Sequence, residues 1–176
     1  VNDVLEWVEQ VLDIGDEALS MTAVFMGLTG LRVCETLASM NRVAEKGLNG
    51  YLKDNRLLEH FRFKEEFLRV KKDAYVSLMQ ERLLQERKGW KMTDVKYHCL
   101  VKRLNRKGLT ARFYDLRKWY ATELVLHGIP SEVADLLEGR AGSSVFVQSY
   151  LRPSFGQIVE RVREIMAKYA EKWIRE

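Results

Sequence analysis

Three segments, far apart along the chain, carry arginines and tyrosines in settings suited to phosphate chemistry. In the first, at 29–35, Arg32 follows a glycine turn and opens an expected helix, and Glu35 shares its helix face. A guanidinium among apolar neighbours needs a partner, because an unpaired buried charge is costly. The segment therefore predicts an Arg32–Glu35 pair, which taken alone is better explained as a plain surface ion pair.

The second and third segments lie nearer the C-terminus. In the second, Tyr114 and Arg117 are three residues apart and share a helix face, so Arg117 could clamp a phosphate through two parallel N–H donors. In the third, Arg140 stands in a glycine-rich break, and Tyr150 follows just before an expected helix-ending turn. Taken alone, each is better explained structurally, as a packed tyrosine on an amphipathic helix and a half-buried tyrosine near a turn.

Basic residues are concentrated in one stretch of the sequence. From Arg87 to Lys118 there are eleven lysines and arginines and only two acids, Asp94 and Asp115, so this stretch carries +9 while the whole chain carries +4. A concentrated basic stretch within a folded domain is typical of proteins that bind a polyanion such as DNA. A solvated helix face explains such a run about equally well.

The composition bounds the class of protein. The chain has 176 residues, 47% of them hydrophobic and 31% charged, which is enough for a folded core and too apolar for disorder. No apolar run approaches the roughly 20 residues of a membrane helix. We expect a single domain over 1–176 that acts in the cytoplasm without a membrane partner. Since it begins at Val1, we also expect it to be a fragment of a longer protein. Cys34 and Cys99 are expected to be buried free thiols.

The sequence patterns around these residues predict the elements that position them. Together they give a mainly α fold with a small antiparallel β-sheet (α+β). Over 51–79 the pattern turns short, mixed and charged, which indicates strands at 60–63, 67–70 and 75–78. Elsewhere apolar periodicity predicts helices. They span 4–12, 16–28, 31–40, a segment capped by Thr93 or Asp94 and ended by Gly108, 113–127, a short helix from Ser131 to the break at Gly139, 144–150, and a last helix within 154–176. The apolar stripe of that last helix suits packing on its own domain or in trans on a neighbouring protomer.

Together, the three segments resemble the catalytic domain of tyrosine recombinases and integrases, over about 16–153. The family's first motif reads close to T-G-L-R-x-x-E, as 29–35 does, and its second reads close to H-D-L-R-H-x-x-A-T, which 114–122 matches at most positions. Its third, L-L-G-H, leads to the nucleophilic tyrosine, as 136–140 leads to Tyr150. The sequence of 138–145 resembles that of the divergent archaeal integrases, including those of fusellovirus type.

The resemblance implies a site and a reaction. Arg32 and Arg117 would neutralise the scissile phosphate, and the Tyr150 hydroxyl would attack phosphorus to form a 3′-phosphotyrosine link. A basic side chain on a β-hairpin turn would protonate the leaving 5′-oxygen. The candidates for that donor are Lys71, which we prefer, Lys72 and Arg69. The resemblance implies neither a metal nor a nucleotide cofactor.

Two positions depart from the family's usual pattern. Tyr114 stands where the second motif usually has histidine, and Glu138, Gly139 and Arg140 surround the place of the usual histidine or tryptophan of the third motif. We therefore include Tyr114 and Arg140 among the catalytic candidates and Glu35 and Glu138 as supporting residues. Which group acts as base or proton relay stays open.

The resemblance also implies the partners: double-stranded DNA, and four protomers assembled on two DNA sites, while the isolated domain could be a monomer. Phosphate contacts from the basic stretch would supply most of the affinity, which should weaken as salt rises. Two other functions stay open, a type IB topoisomerase and a helical DNA-binding protein without catalysis. The candidates for DNA contact are Lys88, Lys91, Lys102, Arg103, Arg106, Lys107, Arg112 and Lys118.

Overall fold

Helices dominate the structure, and one small antiparallel sheet follows the third of them, which confirms the expected mainly α fold with a small sheet. The computed structural model describes residues 2–48, 50–54, 57–60, 76–85, 95–140 and 155–174. The elements of this described part are, in chain order, α1 (Asn2–Asp13), α2 (Glu17–Thr29), α3 (Val33–Lys46), β1 (Leu52–Lys53), β2 (Leu57–Leu58), β3 (Ser77–Leu78), α4 (Glu81–Gln85), α5 (Tyr97–Arg106), α6 (Phe113–Leu126), α7 (Ser131–Leu137) and α8 (Phe155–Trp173).

Helix α2 is the centre of the core. Its sequence is apolar on all sides, and its residues from Thr22 to Thr29 are all buried. It packs against α1, α3, α5, α6, α8 and the edge strand β3. Asp16 begins the helix by accepting a hydrogen bond from the Leu19 backbone N–H at 3.1 Å. Because α2 touches most other elements, the turn that ends it at Gly30 lies at the junction of several helices.

No single helix of the described residues is both long and apolar enough to cross a membrane. Helices α2 and α3 reach that length only when taken together, and the chain bends by 106° between them.

The sheet differs in its strand positions from the sequence prediction. Leu52 pairs with Leu58 and Leu57 pairs with Leu78, so the order is β1-β2-β3 with antiparallel neighbours. The strand expected at 60–63 is wrong at its start, because the backbone at His60 forms a 3₁₀ turn and does not join the ladder. The expected 67–70 lies outside the described residues, and β3 falls within the expected 75–78.

The buried polar network joins α3 to the sheet. The Tyr51 hydroxyl donates to Ser39 Oγ at 2.9 Å and lies 2.8 Å from His60 Nδ1, while His60 Nε2 lies 2.6 Å from Ser77 Oγ. In a neutral imidazole one ring nitrogen donates and the other accepts, so His60 can bond Tyr51 and Ser77 at the same time. A neutral imidazole therefore satisfies the whole chain of hydrogen bonds.

Several helix boundaries also differ from prediction. Helix α3 runs on to Lys46, well beyond the expected end at residue 40, because Val43 continues its buried face one turn after Met40. Helix α5 begins at Tyr97 with Lys96 as its N-cap residue, whereas the expected caps Thr93 and Asp94 lie outside the described residues. Helix α4 was not expected at all, because five residues are too few to show a helical period.

The terminal helix α8 packs on its own domain. Val159, Val162, Met166 and Trp173 are all buried, and the Trp173 ring covers Gly27 of α2 so closely that a Cβ there would lie 2.6 Å from it. Within this single chain the apolar stripe therefore packs on α2, and packing in trans on a neighbouring protomer stays a prediction. The expected helix 144–150 and the residue Ser154 lie outside the described residues.

The prediction of buried thiols is wrong. Cys34 is exposed and Cys99 is partly exposed. Cys34 is the second residue of α3, where the neighbours Glu35 and Thr36 turn inward, and in α5 it is Leu100 that turns into the core. Apolar neighbours in sequence did not place either sulfur on the buried face of its helix.

Candidate active site

The turn between α2 and α3 positions the first arginine. Gly30 adopts a left-handed conformation (φ 70°) and its N–H bonds the carbonyl of Met26 at 2.8 Å, which ends α2. A Cβ at Gly30 would lie 2.3 Å from the ring of Tyr120, so this position needs glycine for space as well as for conformation. The chain then turns sharply, and Arg32 becomes the N-cap residue of α3.

Glu35 joins the first arginine to the second. Its Oε2 accepts a hydrogen bond from the Arg32 backbone N–H at 2.8 Å, and its Oε1 accepts one from Arg32 Nη1 at 2.7 Å. Its Oε2 also lies 3.9 Å from Nη1 of Arg117, which comes from α6. The structure therefore shows the Arg32–Glu35 pair that the spacing predicts, and extends it to Arg117.

Arg117 is buried between backbone carbonyls. Its side chain is only 2% exposed, its Nη1 donates to Gly30 O at 2.9 Å, and its Nη2 donates to the carbonyl oxygen of Glu138. Its Nε lies 3.7 Å from Oε1 of Glu138. Burial lowers the pKa of Arg117 and the Glu138 charge opposes that shift, so Arg117 stays a cation with a fixed orientation.

The end of α7 brings in a third arginine. Gly139 takes a positive φ of 63°, and the Arg140 N–H bonds the carbonyl of Asp135 at 2.7 Å, which turns the chain back on the helix. Arg140 Nε then lies 2.8 Å from Oε2 of the fully buried Glu138. The arginine cluster is defined here as Arg32, Arg117 and Arg140 together with the two carboxylates between them, Glu35 and Glu138.

The arginine cluster carries one more positive than negative charge and is open to solvent on one side. The side chains of Arg32 and Arg140 are 22% and 41% exposed, while Arg117 lies beneath them. Burial raises the pKa of Glu138, and the nearby guanidiniums of Arg117 and Arg140 oppose the rise. Such a cluster can hold an anion with rigid donors that are already oriented.

Tyr114 is not part of the arginine cluster. It lies on α6 with 65% of its surface exposed, and its ring is covered by Lys118 Nζ at 4.7 Å. Within the described residues its hydroxyl makes no hydrogen bond to the cluster. The residues Arg69, Lys71, Lys72 and Tyr150, which the resemblance implies for proton transfer and attack, lie outside the described residues.

The basic stretch divides into paired and free cations. Arg103 lies 3.2 Å from Asp16, and Arg112 lies 2.6 Å from Asp3. Lys118 lies 3.3 Å from Asp115. Among the described residues, four exposed cations of the stretch make no ion pair. They are Lys96, Lys102, Arg106 and Lys107, while Lys88 and Lys91 lie outside the described part.

One neighbour of the cluster escaped the sequence analysis. Tyr120 is fully buried, packs its ring on Gly30, and has no hydrogen-bond partner for its hydroxyl among the described residues. Burial raises the pKa of Tyr120, and the Glu138 charge raises it further. A signal was available, because Tyr120 follows Arg117 by three residues and so shares its helix face.

Over the described ranges no three metal-ligating side chains come together.

The comparison with protein families gives one result. A family model described as archaeal phage integrase matches residues 3–172. The chain belongs to the archaeal phage integrase family, so its role is in DNA recombination and its partner is DNA. No curated protein and no solved structure was found to match it.

Proposed function

We propose that this integrase breaks and rejoins double-stranded DNA as a tyrosine recombinase, through a covalent 3′-phosphotyrosine link to Tyr150. The observation that carries the proposal is the arginine cluster, in which guanidiniums from three separate segments are joined by two buried carboxylates. Two of these arginines, Arg32 and Arg140, keep part of their side chains exposed and so remain available to an anion. The cluster suits an anionic substrate such as a phosphodiester.

The proposed reaction conserves the energy of the broken bond. The Tyr150 oxygen bonds to phosphorus while its proton is lost to solvent, the bond from phosphorus to the 5′-oxygen breaks, and Lys71 or Lys72 protonates that oxygen. Rejoining reverses these steps with a 5′-hydroxyl as the nucleophile. A free tyrosine has a pKa near 10, so a cationic neighbourhood is needed for attack at neutral pH.

The three arginines differ in exposure, so they would interact with the phosphate in different ways. Arg32 and Arg140 reach solvent and would contact the non-bridging oxygens directly, while Arg117 lies beneath them and adds its charge from below. Negative charge grows on those oxygens in the transition state, and donors already in place stabilise it without reorganising. Removing one such donor costs roughly 10²- to 10³-fold in rate in comparable oxyanion sites.

The assembly belongs to the same proposal. Four protomers on two DNA sites would exchange strands inside the host cell, where the DNA is. The integrase family match favours this function over a type IB topoisomerase, which would relax supercoils as a monomer without a second site. A DNA-binding protein without catalysis could hold a phosphate in the same cluster, but it would form no covalent link to DNA.

A nicked suicide substrate tests the proposal. DNA carrying a nick beside the cleavage site loses its short 5′-hydroxyl fragment after attack, so the covalent adduct accumulates and can be seen on a denaturing gel. Wild type should form the adduct and Tyr150→Phe should not. Tyr97→Phe is the matched control, because Tyr97 is an exposed tyrosine outside the candidate site, and it should react like wild type. Absence of an adduct from wild type would sink the proposal.

A further inference from the structure

Glu138 is an unusual carboxylate for its position. It lies at the end of α7, is fully buried, and within the described residues neither of its carboxylate oxygens accepts a hydrogen bond. Taking a charge out of water is unfavourable unless nearby cations and donors compensate it. The charged groups around the Glu138 carboxylate therefore indicate its role.

Cations from two elements face Glu138. From α6, Arg117 Nε lies 3.7 Å from its Oε1, and after α7, Arg140 Nε lies 2.8 Å from its Oε2. The Arg32 charge also acts on it from the start of α3, and Asp135 of α7 acts in the opposite sense. The Tyr120 hydroxyl of α6 is buried near enough for the two groups to interact electrostatically. The closest of these contacts is the one with Arg140.

That contact determines how Arg140 can be used. A guanidinium has five N–H donors, and the Nε side of the Arg140 guanidinium faces the Glu138 carboxylate at 2.8 Å in an ion pair. The two terminal nitrogens remain, and one of them lies 3.8 Å from the Asp135 carboxylate, whose side chain is 48% exposed. An arginine side chain has many rotamers, so a buried carboxylate on Nε selects those that keep the terminal nitrogens turned away from the carboxylate.

We propose that Glu138 is a positioning residue, whose carboxylate holds the Arg140 guanidinium so that its terminal nitrogens meet the scissile phosphate. This inference rests on the function proposed above. The competing role is charge balance, in which Glu138 only offsets Arg117 and the fold around it. The two roles differ in one respect: a positioning residue has no effect on the reaction once Arg140 is gone.

A double-mutant cycle separates the two roles. Wild type, Glu138→Gln, Arg140→Ala and the double variant are compared by the single-turnover rate of adduct formation on the nicked substrate. Glu138→Gln keeps the side-chain volume and removes the charge. We expect it to slow adduct formation by on the order of tenfold or more, as the loss of a supporting contact does at comparable sites. In the Arg140→Ala background the same change should have no further effect.

DNA affinity and a neighbouring carboxylate serve as controls. Glu138→Gln makes the protein more positive by one charge, so DNA binding should be as tight as in wild type or tighter. Asp135→Asn removes an exposed carboxylate at the same arginine, and it should leave the rate close to that of wild type because exposed pairs contribute little. If Glu138→Gln does not fold, Glu138→Asp, which shortens the reach by one methylene and keeps the charge, takes its place in the cycle.

The outcomes are distinct. An equal loss of rate in both backgrounds, or no loss in either, overturns the positioning role while the proposed recombinase function stands. Failure of wild type itself to form an adduct overturns the proposed function and this inference with it. A loss confined to the background that retains Arg140 supports the positioning role.

Discussion

The guanidinium of Arg117 on α6 donates a hydrogen bond at 2.9 Å to the carbonyl oxygen of Gly30, in the turn between α2 and α3. Gly30 precedes Arg32 by two residues, so this bond fixes the turn from which Arg32 begins α3. The first and second arginines of the cluster are thus linked through the backbone as well as through Glu35. Stability and the candidate site depend on the same contact.

Replacement of Gly30 by alanine should destabilise the protein strongly. The new Cβ would meet the Tyr120 ring at 2.3 Å, and the backbone would have to keep a φ of 70° that alanine disfavours. Strain and overpacking together should lower the free energy of unfolding by about 2–5 kcal/mol. Urea denaturation of Gly30→Ala against wild type measures the difference.

Gly108→Ala is the control for the backbone contribution. Gly108 has a φ of 74° but no neighbour within 4 Å of the position its Cβ would take, so only the conformational cost remains. That cost is about 1–2 kcal/mol. Equal losses at the two glycines would show that the Tyr120 contact adds nothing.

Replacement of Arg117 by lysine should impair both folding and adduct formation. Lysine keeps the charge but not the planar fork, so it cannot donate to the carbonyls of Gly30 and Glu138 in the same way. One buried acceptor left unpaired costs about 1–3 kcal/mol in the free energy of unfolding. The rate of adduct formation should fall about 10²-fold or more.

Arg161→Lys makes the same chemical change at an exposed site. Arg161 also donates to a backbone carbonyl, that of His127, at 2.9 Å, but its side chain is in solvent. Its effect on stability should stay within about 0.5 kcal/mol. A similar loss from both variants would contradict the special role of the buried Arg117.

The sequence predicted the local parts of this arrangement and not its long-range parts. The spacing of Arg32 and Glu35 on one helix face predicted their pair, and apolar periodicity predicted the helices that carry the cluster. The burial of Glu138 could not be predicted, because it depends on α6 packing against α7. The burial of His60 and the exposure of Cys34 also depend on how distant elements pack, so neighbours in sequence did not predict them.

The division of the basic stretch predicts which lysines contact DNA. Lys102 is exposed on α5 without an ion pair among the described residues, whereas Lys118 lies 3.3 Å from Asp115, which competes with phosphate for it. Lys102→Gln should therefore lower the slope of log K against log salt by about 0.9, the value for one lost phosphate contact. Lys118→Gln should lower it less. Fluorescence anisotropy with duplex DNA at several salt concentrations gives the slopes.

Lys168→Gln on α8 is the matched control for these lysines. Lys168 is exposed and lies outside the basic stretch, so its loss should leave the slope unchanged. If all three lysines alter the slope equally, DNA contact is not confined to the basic stretch. If Lys118 matters more than Lys102, the ion pair with Asp115 does not restrain it.

The buried network of His60 predicts loss of stability in acid. Burial lowers the pKa of His60 to about 3, while the unfolded chain protonates it near 6.5. The free energy of unfolding should thus fall as pH drops from about 6.5 toward 3, by about 2 kcal/mol at pH 5 relative to neutral pH from this group alone. Above that range the titration of His60 should not change it.

His60→Gln isolates that contribution. Glutamine is neutral at every pH and has a donor and an acceptor for Tyr51 and Ser77, though it fills less space than the ring. It should lower stability at pH 7 and lose less stability than wild type between pH 7 and pH 5, so the two urea midpoints should approach each other in acid. The comparison uses the difference in free energy of unfolding between wild type and His60→Gln at each pH. Groups that the substitution leaves undisturbed, including Glu138, titrate equally in both proteins and cancel in this difference. Midpoints that fall in parallel would show that folding does not change the pKa of His60, which contradicts the prediction.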